Sequence, residues 1–194
     1  MDIEPRGDPL PDLGDEGLMA RIRDGEEEAL TALIRRYWEP LVQYGFGFVN
    51  RTDAAEDIAQ EAFVRLWQGR EGWEETGSVR GYLYTIVRNL CLHERDRRKI
   101  REARAQDEEL RTPEFSPTPS QVFDQQEVLR TLNETISRLP ERRREVFTLA
   151  CLHGLSYREV ADAMGVAVPT VANQMSAALN ELREALRSVS DERI

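Results

Sequence analysis

Cysteine, histidine and lysine are scarce in this sequence of 194 residues, and it contains no long apolar segment. No apolar run approaches the ~20 residues that span a bilayer, and none near Met1 would serve as a signal peptide. We therefore expect a cytoplasmic protein that does not insert into membranes. Because 32% of the residues are charged and the mean hydropathy is −0.56, the composition indicates a soluble, helix-rich chain.

The few cysteines and histidines form two similar pairs. Cys91 and Cys151 are each followed two positions later by a histidine, His93 or His153. These four side chains make a zinc site in principle, but residues two apart in a helix point to different faces. Free thiols, buried or half-buried, are the preferred interpretation, so no metal and no cofactor is predicted. The sequence also lacks a glycine-rich phosphate loop and a nucleophile–histidine arrangement, so we predict no catalytic residue and no enzyme.

Charge is distributed unevenly along the chain. The net charge is −10, which by itself weighs against nucleic-acid binding because phosphate contacts need cations. Residues 1–28 carry ten acidic and three basic side chains (−7), and residues 106–127 carry six and one (−5). Residues 80–104 carry eight basic and three acidic side chains (+5), and every base there except Lys99 is arginine. The net charge therefore conceals a basic segment suited to phosphate contacts.

Apolar residues recur at helical spacing, and no stretch shows useful strand alternation or an internal repeat. The sequence predicts an all-α fold of two small helical domains joined by a flexible linker. Pro40 and the Gly45–Gly47 pair punctuate the first helical run. The predicted segments are a disordered acidic N-terminus (1–15), a first domain (16–104), an acidic, proline-containing linker (105–125), a second domain (126–187) and a tail (188–194).

A strongly amphipathic helix is predicted over Asp53–Trp67, with Thr52 or Asp53 as its N-cap. Its apolar residues share one face and its polar residues the other. A second helix is predicted over Val79–Arg104, with Tyr82 on its apolar side. The apolar face of the first helix comprises Ile58, Ala59, Ala62, Phe63 and Leu66.

The second domain contains a helix-turn-helix pattern. Ser156 and Glu159 have capping-box spacing, which predicts a helix start at Tyr157. Gly165 suits the left-handed turn that ends this helix, and Pro169 suits the first turn of the next one, predicted over 170–179 and followed by a tail to Arg187. An ordinary helical hairpin is the alternative, but caps, glycine and small residues in one register favour DNA binding.

Four sequence blocks, two in each predicted domain, resemble bacterial sigma factors. The residues DAAEDIAQEAFVRLW (53–67) and GYLYTIVRNLCL (81–92) resemble sigma region two, and LPERRREVF (139–147) and GLSYREV (154–160) resemble region four. The chain is identified as a member of the extracytoplasmic-function (ECF) group of the sigma-70 family, over residues 16–104 and 126–187. The resemblance implies a non-enzymatic factor that binds core RNA polymerase and directs it to promoter DNA.

The resemblance also implies roles for particular residues of the first domain. The polymerase contact, to the clamp helices of the beta-prime subunit, falls on Asp57, Gln60, Glu61, Arg65 and Gln68. Minus-ten recognition and melting fall on Trp73, Arg88, Asn89, Leu92, His93, Arg95, Arg97 and Arg98. Strand separation needs stacking surface and arginine for the backbone, and Tyr82 is given less weight because it is expected to be half core. The alternatives are a solvated helix face and a solvated helix end.

The second domain is expected to bind the flap of the beta subunit and the minus-thirty-five element. The DNA contacts implied are Arg143, Arg144, Tyr157, Arg158, Thr170, Ala172, Asn173, Gln174, Ser176 and Ala177. Family members usually carry cations in the recognition helix, whereas residues 169–179 contain none. Asn173 and Gln174 can pair with adenine, and the arginines outside the helix would supply most of the phosphate attraction. The resulting hypothesis is that the chain binds its minus-thirty-five element weakly, or reads an unusual A/T-rich one, and needs a second, recruiting factor.

Further partners and alternatives remain open. An anti-sigma factor is implied by the family, and the acidic linker either mimics nucleic acid in a polymerase channel or is a plain tether. The second hypothesis for function is a stand-alone helix-turn-helix regulator with a sensing or dimerising N-terminal domain. A regulator predicts a dimer on a palindromic site, whereas a sigma factor predicts a polymerase-bound monomer on a two-part promoter.

Overall fold

The computed structural model describes residues 13–73, 77–104 and 123–191. These residues contain helices and no strand, and with them the predicted all-α, two-domain architecture is confirmed. The chain divides into two compact units, one mainly of residues up to Arg104 and one mainly of the residues beyond it. The helices are α1 (Asp15–Arg23), α2 (Glu27–Val49), α3 (Thr52–Gln68), α4 (Val79–Arg104), α5 (Phe123–Arg138), α6 (Glu141–Phe147), α7 (Tyr157–Met164) and α8 (Val168–Asp191).

The N-terminal unit (α1–α4) is built around the pairing of α2 with α3 and α4. The side chains predicted to form the apolar face of α3 are all buried, which confirms the amphipathic pattern. Helices α2 and α3 approach closely at Gly45, where an added Cβ would make an ordinary van der Waals contact, 3.6 Å, with the Cβ of Ala55. The buried thiol of Cys91, on α4, lies 4.0 Å from the carbonyl oxygen of Gly45.

Two sequence expectations for this unit are wrong in detail. Helix α2 continues through Pro40 and both glycines to Val49, because buried residues on either side of the proline keep one apolar face in register. Helix α3 begins at Thr52 behind Arg51, and no side chain caps it. The carboxylate of Asp53 instead binds the Arg51 guanidinium, with Nε and Oδ1 3.2 Å apart.

Helix α1 is fastened to α2 by a polar cluster at its start. The Arg36 guanidinium donates to the Asp15 carboxylate at 2.6 Å and to the carbonyl oxygen of Leu13 at 2.9 Å. The Tyr37 hydroxyl also donates to Asp15. Burial, reinforced by this carboxylate, raises the pKa of Tyr37, and burial raises the pKa of Tyr84 in the core.

These two tyrosines predict a loss of stability at alkaline pH. Their pKa values are higher in the folded chain than the ordinary value of about 10, so their stabilising effect is complete below that pH and declines above it. The unfolding free energy should fall there by up to ~1.4 kcal/mol per pH unit for each tyrosine. Urea titrations at several pH values measure it, and Tyr37→Phe/Tyr84→Phe should flatten the curve. A double variant whose curve runs parallel to the wild type would contradict the prediction.

The C-terminal unit (α5–α8) packs α5 and α6 against α8. Its buried side chains include Val146 and Leu149 before the turn and Val171 and Met175 on α8. The second of the two predicted short helices, over 170–179, and the tail predicted to follow it to Arg187 are instead the single helix α8, which runs to Asp191. The apolar stripe continues through buried Ala178 and Leu182, so no signal ends the helix.

Two further expectations concern the segments next to this unit. The predicted linker 105–125 lies outside the described residues except for 123–125, which begin α5. A π-helical turn, Thr148–Leu152, extends α6 and leaves Cys151 and Leu152 exposed. The expected burial of Cys151 is therefore wrong, because the wide turn points that side chain outward.

The predicted capping box at the start of α7 is present. The Glu159 backbone N–H donates to the Ser156 hydroxyl at 3.3 Å, and the Ser156 N–H donates to the Glu159 carboxylate at 2.7 Å. At the other end, Gly165 has φ +64°, and the Val166 N–H bonds the Ala161 carbonyl at 3.0 Å. Helix α7 is thus fixed at both ends, by a side-chain capping box at its start and by a left-handed glycine at its end.

Removal of this cap should destabilise the C-terminal unit. Ser156→Ala leaves an N-terminal amide of α7 without its acceptor and should lower the unfolding free energy by about 1 kcal/mol. Ser156→Asp supplies another acceptor and should restore most of it. Urea titration followed by circular dichroism measures both variants, with exposed Ser176→Ala as the control. Equal losses in the Ser156→Ala and Ser176→Ala variants would contradict the capping role.

Candidate nucleic-acid and polymerase interfaces

The exposed face of α3 carries all the residues predicted to contact a partner protein. Asp57, Gln60, Arg65 and Gln68 are exposed and Glu61 is half-buried, since the opposite face of the helix fills the core. Arg65 and Glu61 form an ion pair at 2.8 Å along the helix. The exposed face of α3 therefore carries charges of both signs, and the buried face behind it holds the helix rigidly in the core.

Val64 lies on this face by its helical spacing but was not among the predicted polymerase contacts. The side chain is 41% exposed and lies between the polar residues of the same face. Its exposure follows from helical spacing, because it falls opposite the buried stripe, and this signal was present in the sequence. An exposed apolar side chain within a polar surround is the arrangement found at the centres of protein interfaces.

A groove of about 300 Å³ separates this face from α4. It brings Asp57 and Glu61 of α3 together with His93 and Arg97 of α4, two sets that sequence analysis assigned to different partners. The remaining lining residues are Arg51, Asp53, Ala54, Ile58, Leu90 and Glu94. The predicted polymerase contacts and the predicted DNA contacts are therefore neighbours within one unit.

The predicted minus-ten residues lie along α4 and in the loop before it. Asn89, His93, Arg97 and Arg98 are exposed. Half-buried members of the set are Trp73, Arg88, Leu92 and Arg95. The structure thus presents two exposed arginines on the C-terminal part of a helix, with polar side chains one and two turns before them.

Tyr82, expected to be half core, has a side chain that is 37% exposed. Its ring lies edge-on to that of Trp73, with the centroids 5.0 Å apart. Together the two rings form an aromatic pair beside the loop, a surface on which an unpaired base can stack.

The recognition helix, the first part of α8, presents small and uncharged side chains. Thr170, Asn173 and Ser176 are exposed, and Ala172, Gln174 and Ala177 are half-buried. Tyr157 and Arg158, at the start of α7, are also exposed. The predicted surface is therefore present, with hydrogen-bonding groups but without a cation on residues 169–179 of α8.

Two of the three arginines expected to attract phosphate are engaged within the unit. Arg143 pairs with Glu181 of α8 and also reaches Gln174, and Arg144 donates to the Ser137 carbonyl at 2.7 Å. Arg158 remains exposed. These internal contacts reduce the positive charge that the helix-turn-helix offers to a DNA backbone.

The two cysteine–histidine pairs belong to different units, Cys91 and His93 to the N-terminal one and Cys151 and His153 to the C-terminal one. His153 is partly buried, which lowers its pKa, and partial desolvation raises the pKa of Cys151. In the residues that the structure describes, no group of three or more histidine, cysteine or acidic side chains is placed to hold a metal. Over the same residues, no helix is both long and apolar enough to cross a membrane.

Comparison with known proteins assigns the family. The Sigma-70 region 2 profile matches residues 33–101, and the Sigma-70, region 4 profile matches residues 129–182. The ECF RNA polymerase sigma factor SigE of Mycolicibacterium smegmatis is 27% identical over 172 residues, 87% of this chain and 66% of that protein. The RNA polymerase sigma-H factor of Pseudomonas aeruginosa is 26% identical over 181 residues, 89% and 94% of the two chains.

A solved structure supports the same assignment. The sigma factor RpoE from Bartonella quintana, crystallised with the anti-sigma factor NepR, superposes with a TM-score of 0.59 at 25% identity, covering 81% of this chain and 96% of that one. Both sigma regions occur in the order that the sequence motifs predicted. The chain belongs to the extracytoplasmic-function group of the sigma-70 family.

Proposed function

We propose that this chain binds core RNA polymerase through α3 and helps to melt the minus-ten region of specific promoters through α4. The observation that carries the proposal is the arrangement of the N-terminal unit. A rigid face with exposed Val64 adjoins a helix with exposed Arg97 and Arg98, across one groove. A factor that opens DNA on a polymerase needs both surfaces side by side.

Melting also requires a stacking surface for unpaired bases, and the aromatic pair Trp73–Tyr82 supplies it. Unpaired bases are stabilised by stacking on aromatic rings, and exposed Asn89 lies two turns along α4 from Tyr82. We assign Trp73, Tyr82 and Asn89 to the displaced strand and the arginines of α4 to its phosphates. This assignment adds Tyr82 to the residues predicted from sequence.

The C-terminal unit is proposed to contact the upstream promoter element and the flap of the beta subunit. Its grip on DNA is weak, because the recognition helix lacks cations and Arg143 and Arg144 are held within the unit. A recruiting factor would compensate for that weakness. By analogy with the Bartonella sigma factor crystallised with NepR, we propose that an anti-sigma factor binds this chain and holds it inactive.

Reconstitution tests the proposal. The purified chain, mixed with core polymerase, should co-elute as one copy per polymerase in size-exclusion chromatography. The holoenzyme should start transcription at promoters identified by mapping transcript starts after overexpression. A dimer that ignores polymerase and protects a palindromic site would instead identify a helix-turn-helix regulator. Strong initiation by holoenzyme alone through an ordinary upstream element would overturn the recruitment hypothesis.

A further inference from the structure

Arg143 of α6 holds two side chains of α8 that lie two helical turns apart. One Nη of its guanidinium pairs with the Glu181 carboxylate, and its Nε lies 3.5 Å from Oε1 of Gln174. Gln174 belongs to the recognition helix, and its side chain is half-buried beside α6. The orientation of this predicted base-reading amide is therefore set by a neighbouring arginine.

The chemistry of the arginine decides which end of the amide faces it. A guanidinium has five N–H donors and no acceptor, so the glutamine atom next to it is the carbonyl oxygen. The reverse orientation would place the amide N–H groups against a cation with nothing to accept them. The oxygen of Gln174 is thus turned toward Arg143, and the NH₂ group, on the far side of the amide, is the part offered to DNA.

This orientation changes the base that Gln174 can read. Pairing with adenine uses the amide oxygen and the NH₂ together, against N6 and N7. An amide that offers donors alone matches guanine, whose N7 and O6 are adjacent acceptors in the major groove. On adenine the same donors would meet the N6 amino group, another donor.

We infer that Arg143 and Glu181 are positioning residues that make Gln174 a reader of guanine in the upstream promoter element. The inference rests on the proposed function and replaces the adenine contact expected from the sequence. Glu181 holds the guanidinium on the protein side, so that Arg143 acts on specificity through Gln174. Asn173, the exposed residue directly before Gln174, can still pair with adenine.

Selection by the holoenzyme tests this inference. A promoter library with a fixed minus-ten element and a randomised upstream element is transcribed, and the productive templates are sequenced. The wild type should prefer guanine at one position by about tenfold, and Gln174→Ala should lose the preference at that position alone. Arg143→Met frees the amide and should shift the preference there toward adenine. Arg142→Met removes an exposed charge from the same helix and should keep guanine.

A second variant makes the test independent of how Arg143→Met folds. Gln174→Glu retains the attraction to Arg143 and replaces the donors with an acceptor, so the preference should move from guanine to cytosine, whose N4 is a donor. A wild type that selects adenine there, or variants of Arg143 and Arg142 that lower all templates equally, would overturn the inference. Initiation that shows no preference for any base in the upstream element would also overturn the inference, but the proposed sigma activity would stand. If no template supports initiation, the proposed function itself is wrong.

Discussion

Val64→Asp should weaken the binding of core RNA polymerase by about 100-fold. Truncating a central interface residue commonly costs 2 kcal/mol or more, and an unpaired carboxylate buried in the contact adds a desolvation cost, so a total of about 3 kcal/mol is expected. Val64 is exposed in the free chain, so the substitution should leave folding unchanged. Fluorescence titration of labelled protein with core polymerase measures the affinity.

The control for this experiment is Thr31→Asp, which adds the same charge at an exposed position of α2. It should bind like the wild type. Circular dichroism and urea titration check that both variants fold. If Val64→Asp binds core polymerase as tightly as Thr31→Asp does, then the α3 face is only a solvated helix surface and the proposed docking mode is wrong.

Arg97→Ala/Arg98→Ala should abolish most open-complex formation at physiological salt. Each phosphate contact contributes close to one unit to the slope of log affinity against log salt, so losing two should reduce the slope by about 2 and the affinity by roughly 10- to 100-fold. Both side chains are exposed on α4. Permanganate footprinting of melted thymines, at several salt concentrations, measures the loss.

A second pair of exposed arginines provides the matched variant. Arg35→Ala/Arg183→Ala removes the same charge from α2 and α8 and should preserve both melting and the salt slope. A pre-melted promoter should partly rescue Arg97→Ala/Arg98→Ala if its defect lies in strand capture. Identical salt slopes for the two double variants would show that the α4 arginines contribute only net charge.

The sequence predicted most of the architecture because its signals were local. The capping box at Ser156 and the left-handed turn at Gly165 depend on nearby residues, and both are present. Helix α4 has the predicted bounds. The charge segregation was also readable directly, because it needs only counting.

The failures involve contacts between distant residues. Pro40 reads as a break, but the core of the N-terminal unit holds α2 together on both sides of it. The sequence predicted that Arg143 contacts phosphate, but in the structure it pairs with Glu181. The two residues are 38 positions apart, so no local sequence pattern indicates the pair. Cys151 reads as buried because its neighbours are apolar, and the π-helical turn that exposes it has no recognisable sequence signal.

The packing of α8 on α5 and α6 has a consequence for synthesis on the ribosome. Val171, Met175, Ala178 and Leu182 complete the core of the C-terminal unit, so α5 and α6 lack their partner until these residues leave the exit tunnel. The larger helix–helix contacts of α1–α4 are with one another, and these helices precede α5 in the chain. We therefore expect vectorial folding in which the N-terminal unit matures first, while the C-terminal unit is still being translated.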